Sequence, residues 1–380
     1  MWSDLKPVYR YPILILGMLS LVFGVLAGLA RLGLAVPHIA LQQAAQHGVL
    51  MIPAFFGTVI GLERAVAIGQ RWAYLAPLST GAAGIALLLG APPVITLALL
   101  TLGSLLFLIA SIKVLRIQQA VHNWILLGGA SGLFIGNFLL LNGQAVSQVL
   151  YWWIAFLVLT IAGERLELSR LVIRDQRKRM GLALLSVMPL AGTAIGMFNP
   201  SLGLTLFALG LAGIGTWLLL FDIARRTVRL TGLTRFTAVC MLAGYGWLLL
   251  SALLFLGMAL EWGGISRDAA LHAIFLGFVF SMVIGHALII FPAVTRLKIP
   301  YSPAFYFPLL LLQLSLLLRI VGGLGGNADF LIQGSILNAV TLALFILTLV
   351  WSILRGQLGQ AGRAPDPAAS RTPPDTERFS

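Results

Sequence analysis

The chain repeats one pattern along most of its length: about twenty apolar residues, then a short polar or basic break. Twelve such stretches lie near 11–33, 44–66, 73–91, 93–112, 121–141, 148–168, 180–198, 201–221, 236–258, 269–292, 304–323 and 330–353. Roughly 20 residues is the length a helix needs to cross a bilayer. Proline and glycine punctuate the breaks, and Ala91-Pro92-Pro93 and Asn199-Pro200 read as tight turns between spans. The first stretch follows Lys6 and Arg10 without a small-residue cleavage site, so it is expected to be a retained helix rather than a signal peptide. The pattern predicts an all-α polytopic membrane protein of about twelve transmembrane helices. The integral domain would cover 1–355, followed by a disordered cytoplasmic tail over 356–380, where Ala, Pro, Arg and Asp cannot build a core.

Composition supports this class. Only 10% of the 380 residues are charged and 59% are hydrophobic, with a mean hydropathy of +0.98, whereas soluble domains carry about 25% charged residues. The single cysteine, Cys240, lies in an apolar run. It excludes an internal disulfide, a cysteine metal cluster and thioether haem attachment, and reads as a small core residue.

The net charge of +13 is an orientation signal. With the N-terminus in the cytoplasm and twelve crossings, all of the 25 Lys and Arg except Arg31, Arg267 and Arg319 fall on the cytoplasmic side. Both termini are then cytoplasmic and the partner is the lipid bilayer. Nucleic acid is not expected, because its binding needs a clustered, solvent-facing basic surface.

Five histidines are the candidate chemistry. An ionisable or metal-ligating group inside an apolar span is costly, which makes it a functional candidate. His47 in span 2 and His272 in span 10 enter from the outer side at equal depth, so two neutral imidazoles could ligate a haem iron from both faces. His286 follows His272 by 14 residues. On a regular α-helix that is nearly the same face, about 21 Å deeper. His122 begins span 5 from the cytoplasmic side, and His38 sits in a polar outer loop and reads as solvated. Each membrane histidine has a plainer alternative as an interhelical hydrogen-bonding residue.

A weak internal repeat joins spans 2, 6 and 10. Gly-Leu-Glu63-Arg64 closes span 2 and Ala-Gly-Glu164-Arg165 closes span 6 at an offset of 101 residues, which carries His47 onto Gln148. The spacing suggests three pseudo-repeated four-helix units. The two Glu-Arg pairs read as structural pairs at the cytoplasmic interface. Trp152 and Trp153 read as an interfacial aromatic belt, and Gly81, Gly84, Gly128, Gly129 and Gly132 as sites of close helix packing.

The topology, with His47 and His272 near the outer ends of spans 2 and 10, resembles subunit I of the haem-copper oxidases. The stretch from His272, H-A-I-F-L-G-F-V-F-S-M-V-I-G-H-A, is similar to the tenth-span motif of the NnrS family, matching it at His272, Ala273, Gly277 and Met282. The span-2 stretch His47-Gly-Val-Leu-Met-Ile-Pro-Ala-Phe-Phe-Gly resembles that family's second helix less closely, with Ala45 and Gly48 where the family tends to carry a further histidine and an acid. The resemblance implies a haem- and copper-associated protein of the bacterial inner membrane, linked to nitric oxide and denitrification. It further implies haem b at His47 and His272, with His286 and His122 as further metal candidates.

Spans 6 and 7 hold no histidine. The three-histidine copper site of a true oxidase is therefore missing, and a proton-pumping terminal oxidase is not expected. Haem-dependent redox chemistry, with a redox partner subunit, remains the reading. The alternatives are a quinol-linked membrane cytochrome and a secondary transporter. Two haem carboxylates would need cations on the outer side, where Arg319 and Arg31 are the span-end candidates.

Overall fold

The computed structural model describes residues 4–170 and 172–361, the last four as backbone. The described residues are helical, as an apolar setting demands, because every backbone N–H and C=O must find its partner within the segment. Twelve helices follow one another: α1 (Arg10–Ala30), α2 (Ala44–Ile68), α3 (Leu75–Leu88), α4 (Pro93–Ile117), α5 (Val121–Leu141), α6 (Val146–Leu168), α7 (Gln176–Gly196), α8 (Pro200–Phe221), α9 (Gly232–Ala259), α10 (Arg267–Thr295), α11 (Pro303–Leu324) and α12 (Ala328–Ala361). Short helical turns at His38–Gln42 and Ala224–Thr227 lie in the connections. We call the end at which α1 begins the near face and the end at which it finishes the far face.

Eleven of the twelve are by themselves long and apolar enough to cross a membrane; α3 reaches from face to face together with the turn before it, Tyr74 bonding Asp4 at the near face and the Leu87 carbonyl accepting from Gln43 at the far face. Sequence counting expects twelve equal spans, but α3 has only 14 residues. Gly69, with φ +65°, ends α2, a 3₁₀ turn at Arg71–Tyr74 follows, and Gly90, with φ +71°, closes the other end. The short helix is packed tightly on its neighbours. A Cβ at Gly81 would lie 2.9 Å from Leu16 Cβ of α1, and one at Gly103 of α4 would lie 2.9 Å from the Ala76 carbonyl of α3.

The centre of the bundle is α2, α6 and α10. Their apolar windows are 67%, 72% and 67% buried, while no other crossing helix exceeds 50%. The three touch one another. Phe55 and Phe56 of α2 meet Phe280 of α10 at ring-centroid distances of 6.3 and 5.5 Å. Arg267 of α10 donates to the Ser147 carbonyl of α6 at 3.0 Å. A Cβ at Gly48 of α2 would lie 3.6 Å from Val146 of α6. The outer helices turn apolar side chains outwards, as α11 does with Phe307, Leu310, Leu314, Leu317 and Val321.

Two expectations change here. Trp152 and Trp153 are not interfacial: both are buried, Trp153 donating from Nε1 to Asn137 Oδ1 at 3.0 Å. Gly136 of α5 makes the room, since a Cβ there would lie 2.8 Å from the Trp153 indole. Arg165 does not pair with Glu164 but reaches Asp222 at the end of α8. The expected tail lies outside the described residues beyond Ala361, up to which α12 continues.

Candidate histidine site at the far face

His47 and His272 line one cavity of about 550 Å³ at the far ends of α1, α2, α6, α10, α11 and α12. Its walls include the aromatic rings of Phe56, Phe275 and Phe280, and its polar groups are concentrated where those helices end. The volume falls in the range of roughly 300–1,000 Å³ typical of small-molecule sites.

Each imidazole is fixed through Nδ1. His47 Nδ1 donates to the Gly24 carbonyl of α1 at 2.7 Å. The contact requires a bare helix surface, because a Cβ at Gly28 would lie 2.9 Å from both Cε1 and Nδ1 of the ring. His272 Nδ1 donates to the main-chain carbonyl of Asp268, one turn back on α10, at 2.9 Å, and lies 3.1 Å from the Asp268 carboxylate. A carbonyl can only accept, so in both rings Nδ1 carries the proton and Nε2 keeps its lone pair. Neither Nε2 has a hydrogen-bond partner among the described residues, and neither is a closed-off orphan. Each ring thus keeps Nε2 available as an acceptor or ligand.

A local irregularity accompanies each ligand candidate. His47 is followed by a π-helical stretch, Leu50–Phe56, with Pro53 inside it, and His272 by a second, Ala273–Phe280. Such wide turns are rare and recur at functional sites. They also change a sequence-based expectation. A π turn advances less per residue than an α turn, so His286 does not return to the face of His272. Its ring lies against α6, with Nδ1 donating to the Met282 carbonyl at 2.9 Å and Nε2 accepting from Arg165 Nη1 at 3.4 Å. With both nitrogens engaged, His286 has no lone pair left for a metal. His122 is buried in the first turn of α5 and does not line the cavity. His38 is exposed at the far face. Among the described residues no three His, Cys, Asp or Glu side chains converge as a metal set, so the site rests on two imidazoles.

The cations also differ from expectation. Arg319 makes a bidentate carboxylate contact, but its partner is Asp268: Nε to Oδ2 at 2.9 Å and Nη2 to Oδ1 at 2.8 Å. The geometry is close because Gly334 of α12 lets α11 approach; a Cβ there would lie 2.5 Å from the Arg319 nitrogen. Arg267 stays on the cavity rim, bound to the Ser147 carbonyl and over the Tyr151 ring. Arg31, exposed at the C-terminal end of α1, also lines the cavity. With Arg319 neutralised by Asp268, Arg31 and Arg267 leave the mouth with an excess of two positive charges.

Sequence reasoning missed Asp268. The signal was its position four residues before His272, which stacks the two on one helical face. The site also explains why Gly277 and Met282 matter in this stretch. A Cβ on Gly277 would lie 2.4 Å from Trp247 of α9, and Met282 Cε fills the space beside Gly244. Both hold α10 against α9 rather than entering the cavity.

No curated protein matches the chain. The family model described as a domain of unknown function (DUF8744) matches residues 10–354, which is nearly all of the bundle, and the chain belongs to that family.

Proposed function

We propose that the far-face cavity binds haem through His47 and His272, and that the chain is an NnrS-like haem protein of the bacterial inner membrane serving electron transfer linked to nitric oxide handling. One observation carries this reading: two imidazoles on one cavity, each with Nδ1 held by a carbonyl and Nε2 free. The remaining groups fit a porphyrin. Phe56, Phe275 and Phe280 supply an apolar wall, and Arg31 and Arg267, rather than Arg319, are the cations for its two carboxylates. Bound there, haem would supply one-electron redox chemistry.

The chain's own part is orientation and exclusion. The Gly24 carbonyl and Asp268 hold the rings in the required tautomer, while the packed Phe55, Phe56 and Phe280 close the cavity's inner end. With His47 and His272 both holding a haem, no coordination position would be left for a gas, which favours electron transfer to a partner at this site. The basic near face is the cytoplasmic one by loop charge, with both termini there.

The test is the colour of the full chain purified in mild detergent. Expected is a Soret band with low-spin bis-imidazole features, at one haem per chain. A colourless, well-folded preparation that fails to take up added hemin overturns the proposal.

A further inference from the structure

The two imidazoles of the cavity are held by unlike partners. His47 Nδ1 meets only a neutral carbonyl, that of Gly24. His272 Nδ1 meets a carbonyl at 2.9 Å and an ionisable carboxylate oxygen, Asp268 Oδ1, at 3.1 Å. That carboxylate is fixed from its other side by the two-pronged contact with Arg319. Asp268 and Arg319 both line the cavity, so the arrangement belongs to the site and not to a remote surface.

We infer that Asp268 is a positioning and tuning residue, one that makes His272 the stronger electron donor of the two imidazoles, and that Arg319 serves to hold Asp268 in that contact. This rests on the haem reading for the identity of the acceptor. The physical reason is general: a carboxylate accepting from Nδ1–H draws the proton away from the ring and raises the basicity of Nε2, and removing such a partner typically changes metal affinity by about 10–100-fold. A more basic ligand favours the more highly charged, oxidised metal. The pair is therefore asymmetric by construction: the imidazole from α2 is held by a carbonyl alone, and that from α10 by a carbonyl and a carboxylate. Arg319, read from sequence as a candidate anchor for a haem carboxylate, acquires a different role.

The groups facing this contact are Arg319 from α11 and Arg267 from α10, with His47 and Arg31 across the cavity. Removing Asp268 alone therefore also changes the local charge, and the test has to separate the two effects. The full-length protein is purified with its haem, and midpoint potentials are measured for wild type, Asp268→Asn, Asp268→Glu and the double variant Asp268→Asn with Arg319→Leu. The double variant removes one negative and one positive charge, so its net charge equals that of wild type.

The expected result is an upward shift in both Asn-containing variants. In the double variant it should correspond to about a tenfold change in the ratio of oxidised to reduced affinity, or about 59 mV for one electron. The low-spin spectrum should persist in both, and Asp268→Glu should recover most of the shift. If the double variant returns to the wild-type potential, the single-variant effect is simple charge and the inference falls while the haem reading stands. If wild type binds no haem, or if His272→Ala leaves the spectrum intact, the haem reading itself fails. Should Asp268→Asn not accumulate, the charge-balanced double variant Asp268→Ala with Arg319→Leu takes its place: a potential and ligand-sensitive spectra equal to those of wild type overturn the proposal.

Discussion

Arginine, aspartate and histidine meet twice along α10, once at each face of the bundle, with opposite outcomes for the imidazole. At the far face Asp268 lies between the other two. Its carboxylate takes the Arg319 guanidinium on one side and the His272 Nδ1 on the other, leaving Nε2 turned to a cavity. At the near face Arg165 lies in the middle. It grips Asp222 with two bonds of 2.8 Å and points Nη1 at His286 Nε2, so the lone pair is consumed. The carboxylates differ as well: the Asp268 side chain is 33% exposed, that of Asp222 0%. Asp222 also accepts from the Ala224 backbone N–H at 2.6 Å. The same three residue types make an open, ligand-ready imidazole in one order and a closed clamp in the other. What decides chemistry here is which residue stands in the middle.

This comparison breaks most sharply on the histidines. Alanine at His272 or at His47 should abolish the low-spin spectrum and reduce bound haem to background, whereas His286→Ala should keep near-stoichiometric haem in the folded fraction. Retention of a normal spectrum without His272 would erase the distinction between the two clusters.

Next in size is the clamp. Arg165→Leu strands a buried carboxylate, and breaking a buried pair from one side costs about 3–5 kcal/mol. The expected outcome is a large drop in thermal stability in detergent, with unaltered haem absorbance per folded molecule. A variant as stable as wild type would mean that the near-face cluster does not staple α6 to the end of α8.

Gly28→Ala sharpens the far side without touching a ligand. The added methyl falls 2.9 Å from the His47 ring. Overpacking of this kind costs about 1–3 kcal/mol, and its signature should be weaker hemin affinity and an altered low-spin spectrum rather than global unfolding. An equal substitution at Gly246, where a Cβ meets nothing within 4 Å, is the control and should leave the spectrum unchanged.

The smallest effect is expected at the rim. Arg31→Gln removes one of the two unneutralised cations at the mouth. Exposed ion pairs contribute about 0.2–1 kcal/mol, so hemin affinity should fall by no more than about fivefold, with the difference disappearing at high salt. A loss of the size caused by His272→Ala would mean that the mouth, not the imidazole pair, dominates binding.

The sequence by itself determined the membrane class, the all-α fold and the positions of nearly all the crossing helices. These follow from local chemistry: an unbroken apolar run must satisfy its backbone internally, and its length fixes whether it crosses. It also singled out His47 and His272, because equal depth can be counted along two helices. Depth is a one-dimensional quantity; direction around the helix axis is not. Only the tertiary structure decided that α3 is a shortened helix completed by the 3₁₀ turn before it, that Trp153 is buried against Gly136, and that two π-helical stretches turn His286 away from the face of His272. It also decided the partners of the charges. Arg319 is 51 residues from Asp268 and Arg165 is 57 from Asp222. No periodicity encodes such pairings, which arise because in a medium without water a buried arginine is stabilised by whichever carboxylate the packing brings within reach.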